Sequence, residues 1–153
     1  MAKTIGIGTL FILAGFVLMA VNQLAYAEEM PLALDGYDTV SYFEVARAEP
    51  GKEAFTHRWN GKRWQFANKR HLDLFIASPE SYAPAYEGLC AWAASKGYLQ
   101  SAMPTAWTVE EGRLFLNFSQ SVKGQWETRK SANIRAADRR WPRLKEAAAR
   151  FNH

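Results

Sequence analysis

Asn60-Gly61 stands between two aromatic-rich runs in FTHRWNGKRWQFA (55–67), and no other stretch constrains the chain as strongly. A two-residue hairpin needs positive φ at both central positions, which asparagine and glycine tolerate best. Phe55, His57 and Trp59 alternate along the first run, Trp64 and Phe66 along the second. Asn68 then caps a predicted helix over 69–77, with Leu72, Phe75 and Ile76 as its apolar face. Pro79, in Ser78-Pro79-Glu80, is placed as the first residue of a further helical turn.

Around this centre the chain reads as a mixture of strands and helices. LALDGYDTVSYF (32–43) reads as a turn at Asp35-Gly36 followed by a short extended segment. LCAWAASKG (89–97) is a helix candidate that places Cys90 in its first turn and Gly97 just past its end. AWTVEEGRLFLNF (106–118) reads as a second hairpin with its turn at 110–112, and 119–129 as helix. Residues 132–151 carry Ile134, Ala137, Trp141, Leu144, Ala148 and Phe151 at helical spacing, with Pro142 expected to kink or restart the helix. No internal repeat is evident. The expected class is α+β, in one domain over 28–153.

Residues 1–27 read as a signal peptide: Lys3, an uncharged apolar run over 5–21, and small residues in Ala25-Tyr26-Ala27. The chain is therefore expected to be exported, and periplasmic in a cell with two membranes, with an uncleaved membrane anchor as the alternative. Residues 28–122 hold nine Lys/Arg against twelve Asp/Glu, whereas 123–153 hold nine against three. A basic end suits nucleic acid or an anionic surface. Export argues against nucleic acid, which leaves a partner protein, an anionic surface, or a solvated helix face.

ALDGYDTVSYF (33–43), the Asn60-Gly61 hairpin, FANKRHLDLF with SPESYAPAY, and GLCAWAASKGY with AWTVEEGRLFLNFS together resemble the YHS-domain family, especially its exported single-domain branch. The resemblance covers most of 31–142. It implies a small YHS-like hairpin and helix module, extended here by a second hairpin and C-terminal helices, with 132–153 a basic amphipathic helical segment. It implies an accessory or binding role rather than catalysis, with a metal ion as ligand. YHS modules of copper-transporting ATPases carry cysteines near the module's start, at the hairpin's end and one helical turn later. The matching positions here are Ser41, Ala67 and His71, so only His71 keeps a donor.

Cys90 is the only cysteine, so no disulfide forms within the monomer. A thiol at a helix start is favoured as thiolate, which suits a ligand, a nucleophile or a redox sensor. Packing as a small hydrophobe is the alternative. Cys90, His71 and His57, with Met103 as a further donor, form the candidate site for a soft or borderline metal such as copper or zinc. No short-spaced motif links them, and His153 is terminal. A thiol-dependent enzyme or redox protein would use Cys90, with His71 as base and Asp73 or Asp38 as orienting acid. A third reading is a protein-interaction module without metal. The tryptophans and tyrosines are expected in the core, with a pocket for a small ligand as the alternative.

Overall fold

A computed structural model describes residues 30–151. The leader, the Ala25–Ala27 site and His153 lie outside them. From Leu32 onward the chain forms one compact unit. Its class is α+β, with two separate antiparallel hairpins and six α-helices among the described residues.

Strands β1 (Lys52–Trp59) and β2 (Lys62–Phe66) pair His57 with Trp64 and Trp59 with Lys62. Asn60 and Gly61 both take positive φ, as the turn requires. Helix α2 (Lys69–Ala77) starts where expected: Asn68 Oδ1 accepts the His71 N–H at 2.9 Å. The single turn α3 (Pro79–Tyr82) follows. Strands β3 (Met103–Glu110) and β4 (Arg113–Asn117) form the second hairpin. Ser119 caps α5 (Gln120–Glu127) by accepting the Val122 N–H at 3.2 Å.

Three expectations fail. The turn at Asp35-Gly36 is present, within Ala33–Gly36 and with left-handed Leu34 and Asp35, but the segment after it is not extended: Ser41–Glu44 form a short helix, α1. Val40, Tyr42 and Phe43 suit a strand, but Asp38 Oδ1 accepts the N–H groups of Val40 (2.9 Å) and Ser41 (3.3 Å) and so starts a helix. Helix α4 spans Ala91–Lys96, so Cys90 is its N-cap rather than a residue of its first turn. Helix α6 (Lys130–Ala148) continues through Pro142 as one element. Proline removes one N–H there, but Ala137, Trp141, Leu144 and Ala148 bury the helix on both sides of it, and Pro142 faces outward.

A fourth expectation fails more instructively, because the fold contains the same unit twice. The turn at 33–36 returns at 85–88, and the hairpin starting at 52 returns at 103. Leu34, Asp35 and Gly36 all have positive φ, as do Tyr86, Glu87 and Gly88. The Asp38 N–H donates to Glu49 O at 2.8 Å, and the Cys90 N–H donates to Gln100 O at 2.9 Å. Both hairpins break register at the same place, between Lys52 and Thr56 and between Met103 and Trp107. Trp64 and Phe75 stack with centroids 5.0 Å apart, and Phe115 and Trp126 with centroids 5.3 Å apart.

Each unit has its own core. The first gathers Val40, Trp64, Phe66 and Phe75. The second gathers Tyr86, Ala91, Phe115 and Trp126, closed by Ala137 of α6. Tyr42, Leu114 and Leu116 join the two. Burying a side chain of this size contributes about 1.5–3 kcal/mol, so the seam is a substantial part of the stability.

Candidate functional site

The Asp38 carboxylate is fully buried and accepts four hydrogen bonds. Oδ1 takes the Val40 and Ser41 N–H groups, while Oδ2 takes the Ala67 N–H at 2.8 Å and His71 Nδ1 at 2.5 Å. With three amide donors already aimed at it, the carboxylate is an acceptor towards His71, so Nδ1 carries the proton. His71 is 3% exposed. Its Nε2 has no hydrogen bond among the described residues. Asp38 thus joins the start of α1, the end of β2 and the first turn of α2.

Cys90 is 1% exposed. Its Sγ accepts the Phe118 N–H at 3.3 Å and faces Asn117 Oδ1 at 3.8 Å. Asn117 Oδ1 also accepts the Trp92 N–H at 3.1 Å, while its Nδ2 is buried without a partner among the described residues. The thiol is part of the link between α4 and β4. His57 is half-buried on β1 with its ring against Phe75, and Met103 is exposed on β3.

The donor set does not fit a metal ion. His71 spends one ring nitrogen on Asp38, Cys90 spends its sulfur on Phe118 and Asn117, and His57 packs on an aromatic ring. Among the described residues no three His, Cys, Asp or Glu side chains come together as ligands would. Of the catalytic trio, the His71–Asp38 pair is present, but Cys90 Sγ has its hydrogen-bond contacts at Phe118 and Asn117 and not at His71. The acid that orients His71 is Asp38, whereas Asp73 pairs with Lys69 on the surface.

A cleft of about 240 Å³ lies elsewhere, between the first hairpin and α6. Trp59, Trp64, Tyr86 and Trp141 line it, with Lys62 and Lys145 as cations. Trp64 is pinned by its Nε1–H, which donates to Trp59 O at 3.0 Å. Tyr86 is pinned by its hydroxyl, which donates to Asp138 Oδ1 at 2.8 Å. Burial first, and then Asp138, push the Tyr86 hydroxyl well above its ordinary pKa, so it stays a donor. Lys62 is half-buried, and burial holds its ammonium below the ordinary 10.5 against the opposing pull of Glu87. Glu87 also lines the cleft, and a second cavity of about 270 Å³ lies on the other side of Lys62 and Glu87, at the seam.

The aromatic residues were visible in the sequence as core or pocket formers. The structure divides them: Trp126 is core, and Trp59 and Trp141 are half-buried at the cleft. Lys62 and Lys145 carried no signal of their own. No helix among the described residues is long and apolar enough to cross a membrane. Compared with protein-family models, with curated proteins and with solved structures, the chain finds no match.

Proposed function

We propose that the chain is an exported, non-enzymatic binding protein that holds a small flat organic molecule in the cleft between the first hairpin and α6. The observation that carries this reading is the wall of the cleft: four large aromatic side chains, two of them pinned by hydrogen bonds, with two lysines at the same cavity. Ligand sites are concave, mostly apolar and supplied with a few placed polar groups. Its size suits a molecule of one or two rings. The burial of Cys90 and the saturation of Asp38 favour binding over thiol chemistry. YHS kinship and export belong to the same proposal and rest on the motifs and the leader described above.

The test is a titration of the full chain with one- and two-ring aromatic compounds, read by intrinsic fluorescence and melting temperature. Binding that Trp141→Ala abolishes, with far-UV circular dichroism unchanged, supports the reading. Binding by no compound, or undiminished binding by Trp141→Ala, overturns it.

A further inference from the structure

The repeat makes Lys62 and Arg113 counterparts, since each opens the second strand of its hairpin. Arg113 has a full set of partners. Its guanidinium lies 4.9 Å from the Phe115 ring centroid and donates to both Asp138 oxygens, at 3.0 and 2.8 Å. Asp138 comes from α6; the helix in the corresponding place of the first unit, α3, is a single turn that ends at Tyr82, before the position that would answer to Asp138. Among the described residues the Lys62 ammonium is left with one hydrogen bond, at the distance limit, to Glu87 O at 3.5 Å. It makes no ion pair among the described residues, and neither does Lys145, which lines the same cleft from α6.

Glu87 attracts Lys62 but forms no ion pair with it; a half-buried cation that no carboxylate pairs with is costly, and a bound anion relieves that cost. Resting on the binding reading above, we propose that the ligand is an aromatic monocarboxylic acid. Its carboxylate pairs with Lys62 and Lys145, as Asp138 pairs with Arg113, while its ring lies against Trp59 and Trp141. Glu87 leaves the lining with one net positive charge, which matches one carboxylate and disfavours a dianion. Burial depresses the Lys62 ammonium by more than Glu87 restores, which agrees with a charge that has no close ion pair.

The experiment compares 2-naphthoate with 2-naphthamide, and benzoate with benzamide, by titration calorimetry on the full chain. Wild type is expected to bind the acids about tenfold or more tightly than the amides, because a hydrogen bond to a charged group contributes about 1.5–3 kcal/mol. Lys62→Met is expected to lose that margin, bringing the acid and amide affinities together. Lys145→Met, at an exposed position, supplies the same reading if Lys62→Met does not fold. Equal binding of acid and amide by wild type overturns the acid inference and leaves the cleft standing. Absence of binding by all four probes overturns both.

Discussion

The Asp38 carboxylate and the Cys90 thiol occupy the same post in two copies of one unit. Each residue donates its own N–H to the connection before the hairpin, and each side chain accepts the amide that follows the hairpin's second strand. For Asp38 that amide is Ala67 at 2.8 Å; for Cys90 it is Phe118 at 3.3 Å. The copies differ in what the post demands. A buried carboxylate needs several donors, and the first unit supplies His71. The second unit has Val122 at that helical position and a sulfur that manages with less.

This predicts strong coupling between positions 38 and 71. Asp38→Cys alone strands the His71 Nδ1–H in a site that is 3% exposed. It should cost about 3–5 kcal/mol, the usual scale for breaking a buried pair. Adding His71→Val recreates the second unit's arrangement. The double variant should be less destabilised than the sum of the singles by about 1–3 kcal/mol. Urea denaturation of all four proteins measures this, and additivity within about 0.5 kcal/mol would show that the two residues do not act as a unit.

The Cys90 thiol should be inert in the folded protein. Its neighbours are the β4 backbone and Asn117, and it is 1% exposed. Modification by a thiol reagent should proceed at the rate of opening and accelerate with denaturant, because a structural buried cysteine reacts only when exposed. Stoichiometric labelling within seconds in native buffer would contradict the described burial.

The hairpin at Asn60-Gly61, the Asn68 cap and the apolar stripe of α6 were legible because each is local: a turn dipeptide, a capping side chain, a period. The repeat was not legible. Identity between counterparts is confined to Ala33 and Ala85, Gly36 and Gly88, and Gly61 and Gly112, while the rest is kept only as physical type. Trp64 answers to Phe115, Phe75 to Trp126, Asn68 to Ser119 and Lys62 to Arg113. The spacing from glycine to aromatic to aromatic, 61–64–75 and 112–115–126, was the signal available. At the second turn Glu111 stands where Asn60 stands, which weakened the hairpin signature although both take positive φ. The cleft could not be read at all, because Trp59 and Trp141 come from opposite ends of the domain.

Two glycines separate a steric requirement from a conformational one. A Cβ on Gly51 would lie 2.5 Å from the Gln65 backbone carbon, which cannot move aside without shifting β2. Gly61 has open space around it but sits at φ +72°. Gly61→Ala should cost about 1–2 kcal/mol, for the left-handed backbone alone. Gly51→Ala should cost more, near the upper end of the roughly 1–3 kcal/mol of overpacking. Thermal melts of the two variants rank them, and a lower melting temperature for Gly61→Ala would reverse the argument.

Asp138 should make the domain acid-sensitive through its second unit. The hydrogen bonds from Arg113, and after them the Tyr86 hydroxyl, hold its carboxyl below the ordinary 3.8. A carboxyl depressed in the folded state binds fewer protons there than in the unfolded chain. Its contribution is therefore complete above about 3.8 and is lost as pH falls through the lower, folded value. The pair is partly exposed, so solvent screening keeps the effect small. Asp138→Asn should lower the melting temperature at pH 6–7. It should also flatten its fall below pH 4, since the variant has no proton to take up at that site. Tyr86 would lose its charged acceptor in the same variant, which adds to the loss at neutral pH. Melting curves collected from pH 2 to 7 give the comparison. Wild-type and variant profiles that stay parallel below pH 4 would mean that Asp138 and Arg113 contribute nothing that depends on their charges.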